Sequence, residues 1–226
     1  MVGHITILPE TTRDPISKIG RRAGVCWGAD TTDDVRNYKR GIDCIKADHG
    51  RTFEYVNVEL IIDGYSARVI REWYTHIGGA PTRLQASTRY MNYEDFGYIV
   101  PIAIEADERA LKRYQCVMAE ISNGIKALTE LGVSREDVAN LLPLGMTTRI
   151  VDKRNLRSLI DMSRQRMCNR AYHEFRGLFN DILVALSLYS DEWATVIDMT
   201  MHPKCDELQK CKERYGCGRW PSDDDQ

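Results

Sequence analysis

Between residues 76 and 89 the chain gathers seven donor-bearing side chains: His76, Thr82, Arg83, Gln85, Ser87, Thr88 and Arg89. Two cations with hydroxyls, an imidazole and an amide in so short a run suit an anionic, hydrogen-bonding small molecule. A solvated connection whose arginines pair with surface acids is the other reading of the same residues. Ser87 invites a nucleophilic role, but no His–Asp pair is evident to activate it, and a ligand role asks less of the sequence. Farther along, Arg157 and Arg166 stand nine residues apart within a helical pattern over 155–166. Nine residues are two and a half turns, so the two guanidinium groups face different sides of that helix. Taken alone they also fit the basic face of an ordinary amphipathic helix.

The elements that must position these residues follow from periodicity and punctuation. Ala67, Ile70, Trp73 and Tyr74 mark a buried helix leading into the donor-rich stretch, ended by Gly78, Gly79 and Pro81. Before it come an opening strand at 4–8, helices over 16–25 and 35–47, the second capped from 32–34, and a strand over 53–62 closed by Asp63-Gly64. After it come a loop at 92–98 and extended chain at 99–101. The longest helical pattern, 106–131, repeats Leu111, Tyr114, Val117, Met118, Ile121, Ile125 and Leu128, as a core or oligomer-interface helix would. Ser134-Arg135-Glu136-Asp137 has the form of a capping box before a helix at 138–142. A strand at 147–151 and a long buried helix over 171–188 complete the pattern.

Bulk properties narrow the class. The 226 residues are 43% hydrophobic and 28% charged, ordinary values for a soluble globular chain read as one domain over 1–226. A net charge of −2 gives no electrostatic case for nucleic-acid binding. No apolar run approaches the roughly 18 residues of a membrane span, and no signal peptide is evident. Seven cysteines without an export signal read as reduced thiols in the cytoplasm. Cys205, Cys211 and Cys217 recur at five-residue gaps, unlike the close pairs of zinc ribbons, so no metal is assigned and packed free thiols are expected. The end, 222–226, is acidic.

Three separated segments resemble one family. Arg71-Glu72-Trp73-Tyr74-Thr75-His76 followed by Gln85-Ala86-Ser87-Thr88-Arg89-Tyr90 is similar to the signature of flavin-dependent thymidylate synthases, which is Arg-His-Arg, a spacer, then Ser-x-Arg-Tyr. Here Thr75 and Ile77 replace the flanking arginines, and the spacer is two residues longer. His49, Phe53 and Glu54 match a flavin-contacting segment, whereas Arg51, Thr52 and Tyr55 depart from it. Leu142-Pro143-Leu144 matches a family Leu-Pro-Leu, although Ala139 stands where an arginine normally precedes it. Asn155-Leu156-Arg157-Ser158-Leu159, with Arg166 nine residues beyond Arg157, matches the remaining segment.

The resemblance implies an α+β fold with a central, mostly antiparallel sheet and long packed helices, assembled as a homotetramer whose active sites lie at subunit interfaces. It implies FAD as cofactor, NADPH as reductant, and reductive methylation of dUMP to dTMP with methylenetetrahydrofolate as carbon donor. His49, Glu54, His76, Arg83, Asn155, Arg157 and Arg166 are then the cofactor-binding candidates. Gln85, Ala86, Ser87, Thr88, Arg89 and Arg166 are the nucleotide-binding ones. Arg166, beside the reacting pyrimidine, and Ser87 are the candidates at the catalytic centre. A lysine-free anion loop of this kind needs donors more than a dyad, because the flavin carries the hydride. Two alternatives keep part of this picture: hydroxymethylation of dUMP by water capture, and a nucleotide- or flavin-binding homologue without turnover.

Overall fold

The structure, a computed structural model, describes residues 3–222; the acidic residues 223–226 lie outside the described residues. Among the described residues the chain is mixed α/β, with four strands and eleven α-helices. In chain order these are β1 (His4–Ile7), α1 (Pro15–Cys26), α2 (Asp34–Lys46), α3 (Gly50–Phe53), β2 (Asn57–Ser66), α4 (Ala67–Tyr74) and β3 (Thr82–Gln85). Then follow α5 (Ile102–Glu105), α6 (Glu108–Glu130), α7 (Arg135–Val138) with a 3-10 turn at Ala139–Leu141, β4 (Thr147–Asn155), α8 (Leu156–Arg166), α9 (His173–Tyr189), α10 (Asp191–Thr200) and α11 (Lys204–Leu208). No described helix is long and apolar enough to cross a membrane.

The strands run in the order β1-β2-β4-β3. Arg149 Nε meets Asp63 at 2.9 Å, Lys153 Nζ meets Glu59 at 3.0 Å, and Leu156 N donates to Val56 O at 2.9 Å. Each step forward along β4 is matched by an equal step back along β2, so this pair is antiparallel. Two strand boundaries differ from expectation. Val56, Val58, Leu60 and Ile62 are fully buried, and this alternation is out of phase with Phe53 and Tyr55. Phe53 instead ends the short helix α3, and β2 begins four residues later than expected. Gly64 at φ 77° does not close β2: it shifts the inward phase to Tyr65 as a bulge does, and the strand continues to Ser66. β4 outruns the expected 147–151 because its inward positions after Ile150 are Asp152 and Arg154. These two buried charges disguise the alternation.

The chain forms two compact units. One comprises residues 3–4, Ile62–Thr75 and Leu84–Ile150; the other comprises Ile5–Ile61, His76–Arg83 and residues 151–222. In the first, Ser66 Oγ accepts the Val69 amide at 3.2 Å to start α4, which buries Val69, Ile70 and Trp73. Asp107 caps α6 by accepting the Arg109 and Ala110 amides, and Gly132 at φ 81° follows its end. Of the seven apolar positions expected along α6, only Met118 and Ile125 are buried. The capping box begins its own helix: Ser134 is the N-cap, so α7 occupies 135–138 rather than 138–142.

In the second unit α1 and α2 touch backbone to backbone. A Cβ on Gly20 would stand 1.8 Å from Asn37 O, and one on Gly41 would stand 2.0 Å from Ile16 O. Helix α10, which periodicity did not suggest, follows the break at Ser190. Its Trp193 is fully buried and donates Nε1–H to Thr12 O at 2.7 Å. The core of this unit also holds Ile16, Ile19, Phe175, Leu178, Phe179, Ile182 and Leu186.

Candidate active site

Arg166 is the last residue of α8, and two contacts fix its guanidinium. Its Nε–H donates to His76 Nε2 at 2.9 Å, and its Cζ lies 4.8 Å from the centre of the Phe175 ring. Phe175 also meets His76 edge to face at 6.0 Å. Burial, followed by the positive charges of Arg166 and Arg154, lowers the His76 pKa to about 4. The imidazole is therefore neutral near pH 7. Because Nε2 accepts from Arg166, the single ring hydrogen resides on Nδ1, which makes that atom a donor.

Arg154 owes its buried position to a fork with Asp152. Its Nε and Nη2 reach the two carboxylate oxygens at 2.6 and 2.8 Å, and both side chains have no exposed surface. This pair sits on β4 directly before the Asn155 cap of α8. The cation near His76 is thus built into the sheet, a feature the sequence reading did not include. The Asp-x-Arg spacing in a strand, which places both on one face, was the available signal.

Asn155 joins the loop after α4 to the start of α8. Its Oδ1 accepts the Ser158 amide at 2.9 Å, and a Cβ on Gly79 would stand 2.6 Å from its Nδ2. Gly79 also has φ 76°, so the approach and the dihedral both require glycine there. Arg157, the second residue of α8, reaches Glu54 Oε1 through Nη1 at 2.6 Å and lies against Gly50. Residues Asp48, Arg51, Phe53, Arg157, Asp161 and Arg164 line most of a cleft of about 350 Å³ there. His49 opens α3 beside it with an exposed side chain. Three arginines against two carboxylates in a half-open cleft suit a diphosphate-bearing cofactor. Of the expected cofactor residues, Glu54 therefore meets Arg157, His76 meets Arg166, and Asn155 meets the Gly79 turn. Arg83 lies in β3.

Arg166 apart, the expected nucleotide residues fall in the first unit. They were read as one loop, but β3 takes Thr82–Gln85 because the chain there pairs at the sheet edge. Gln85 Nε2 donates to Thr148 Oγ1 at 3.2 Å, and Ala86 N donates to Arg149 O at 2.9 Å. Ser87 Oγ accepts the Arg89 amide at 3.2 Å, and Ser87 O accepts the Tyr90 and Met91 amides. This turn leaves Ser87 beside no activating base among the described residues. Arg89 stacks toward Tyr90, its Cζ 5.5 Å from the ring centre. Arg135, which the sequence reading passed over, donates from Nη1 to Tyr90 O at 3.1 Å and shares a small cleft with Thr88 and Ala139. It is four residues before Ala139, one helical turn, which was the signal for it.

All seven cysteines are free, and burial, then the Asp206 charge, pushes the Cys205 thiol pKa up. No three His, Cys, Asp or Glu side chains among the described residues are placed to hold a metal ion.

The thymidylate synthase complementing protein family matches residues 8–187, over three quarters of the chain, and the protein belongs to that family. The chain is 26% identical over 215 residues to a flavin-dependent thymidylate synthase of Nitratidesulfovibrio vulgaris, covering 86% of this chain and 82% of that protein. To proteins of the same name it is 25% identical in Geobacter sulfurreducens (78% of this chain, 79% of the relative) and 27% identical in Pyrococcus furiosus (74% and 69%).

Proposed function

We propose that the chain, as one domain, is a flavin-dependent thymidylate synthase that converts dUMP to dTMP with methylenetetrahydrofolate, FAD and NADPH. The observation that carries this reading is Arg166, held by a neutral His76 and the Phe175 face, in a chain of this family. Bound FAD supplies the hydride. Arg157, steadied by Glu54, would hold its diphosphate, with His49 and Asn155 alongside.

Arg166 stabilises the negative charge that develops on the pyrimidine carbonyl and nitrogen as carbon 5 of uracil becomes nucleophilic. Its contacts hold it in one orientation before substrate arrives, so little reorganisation is needed as that charge grows. His76 presents Nδ1–H and orients a ligand; with its pKa about 4 it is not a proton donor in imidazolium form at neutral pH. Ser87, Thr88 and Arg89 bind the nucleotide phosphate, Ser87 as a ligand and not a nucleophile, with Gln85 and Ala86 completing the strand edge. Arg83 and Arg135 supply cations that Thr75, Ile77 and Ala139 lack relative to the family pattern.

The assembly is a homotetramer with sites completed between subunits. The partly exposed apolar face of α6 supports this. Seven unpaired thiols support a reducing, cytoplasmic setting. The test is the visible spectrum of the purified protein, with NADPH then added anaerobically in the presence and absence of dUMP. A flavin spectrum that bleaches at a dUMP-dependent rate is expected, with a dTMP product identified by mass. Failure to bind FAD would overturn the proposal, and a hydroxymethyl product would correct its last step.

A further inference from the structure

A cavity of about 430 Å³ lies where the C-terminal tail meets the end of α8, in the second unit. Most of its wall is tail, from Pro203 to Trp220, beyond the last residue that the family matches at 187. Seven of its lining side chains are Arg or Lys, Arg166 of the candidate active site among them, and Glu213 is the only acid in the lining among the described residues. The whole chain has 31 Lys and Arg against 33 Asp and Glu, so this wall concentrates positive charge against the general balance.

The local fold explains how so many cations share one wall. Arg170 pairs with Glu213 of the lining at 3.1 Å, whereas the carboxylate partners of Arg219 and Arg164 lie outside it. Asp206, outside the lining, takes Arg219 at Nε and Nη2 (2.8 and 2.6 Å) and Trp220 Nε1 at 2.7 Å. Glu207, also outside it, accepts Arg164 Nε at 2.7 Å. A guanidinium carries five N–H groups, and the Asp206 fork uses two of those on Arg219. Cys211 N donates to Pro221 O at 2.9 Å and Gly218 turns at φ 80°, which brings Arg219 and Trp220 back into the cavity wall. Lys204 and Lys212 line the wall with no ion pair among the described residues. The four lining thiols form no metal site, so the cations set the chemistry of this space.

We propose that the tail cavity binds a small polyanion, a short chain of phosphates or carboxylates, with Lys204 and Lys212 as its principal contacts and Arg219 and Arg170 as oriented donors. Oriented arginines suit successive oxyanions, and two mobile lysines adapt to their spacing. Such a chain could come from a phosphorylated metabolite or from a γ-linked glutamyl tail.

Isothermal titration calorimetry with tripolyphosphate and with tri-γ-glutamate separates the two sources. At least one probe is expected to bind one per chain, with dUMP present, and to bind more weakly as salt rises. Lys204→Ala/Lys212→Ala and Lys204→Gln/Lys212→Gln are each expected to weaken it about tenfold or more, because two charge-assisted contacts are lost. Both lysines are exposed, so a matching thermal melt serves as the folding control. Absence of binding by both probes, unchanged affinity in both variants, or displacement of the probe by dUMP would overturn the proposal. None of these outcomes depends on flavin binding or turnover, so a failed synthase assay leaves the result interpretable.

Discussion

His76 should remain uncharged well below the pH at which a free histidine is protonated. With a pKa of about 4 against an ordinary 6.5, about 3% of His76 is protonated at pH 5.5, whereas a free imidazole is about 90% protonated. Burial is the largest cause, so Arg166→Met, which removes the adjacent charge and its Nε–H donor, should raise the pKa through only part of that gap. The shift also couples to folding. The unfolded chain binds the proton more readily between pH 4 and 6.5, so the contribution to stability is complete above about pH 6.5 and is lost as pH falls toward 4. The full gap corresponds to about 3.4 kcal/mol, and partial exposure reduces this to on the order of 1–2 kcal/mol. The assay is an NMR titration of imidazole Cε1–H shifts, with the His76 signal among the five histidines assigned by His76→Gln. A wild-type midpoint near 6.5, or one that Arg166→Met does not move, would refute the linked Arg166–His76 arrangement.

Other perturbations test the supports around this pair. Arg154→Met leaves Asp152 buried without its fork and should cost about 3–5 kcal/mol in urea unfolding, whereas the double variant Asp152→Leu/Arg154→Met should recover much of the loss. Gly79→Ala adds a Cβ to a positive-φ turn against Asn155 and should cost about 2 kcal/mol, with weaker FAD binding read by flavin fluorescence; unchanged binding would separate this turn from the cofactor site. Arg135→Ala should weaken dUMP binding roughly tenfold, while leaving FAD affinity alone, if it replaces the cation absent at Ala139. Arg83→Ala should weaken FAD or nucleotide binding by several-fold in the same titrations, and no change in either would remove Arg83 from the site.

Much of the helical frame was legible because its signals are local. Asp33, Ser66, Asp107, Ser134 and Asn155 each accept an amide from the first turn that follows, a contact set by residues three positions apart at most. The donor-rich stretch, Arg157 and Arg166 were likewise visible as residue types at a spacing, and the family resemblance rested on them. Where the sequence misled, contacts between distant segments decided the outcome. Thr82–Gln85 became a strand because an edge of β4 was there to pair with, although its own residues read as loop. Residues 152–155 continued β4 because Asp152 and Arg154 neutralise each other inside, so two charges occupy positions that periodicity reserves for apolar side chains. The ends of α6 were readable, but how much of its apolar face this chain would bury was not.

The sequence by itself determined which side chains were present, most helix starts, and the chemistry that an Arg-, His- and hydroxyl-rich segment favours, since these depend on neighbours a few bonds away. Only the tertiary structure decided that Arg166 donates to His76, that buried Arg154 helps keep that imidazole neutral, and that Glu54 meets Arg157 across 103 positions. Hydrogen bonding and desolvation act over a few ångströms of space, and distance along a chain does not encode that separation.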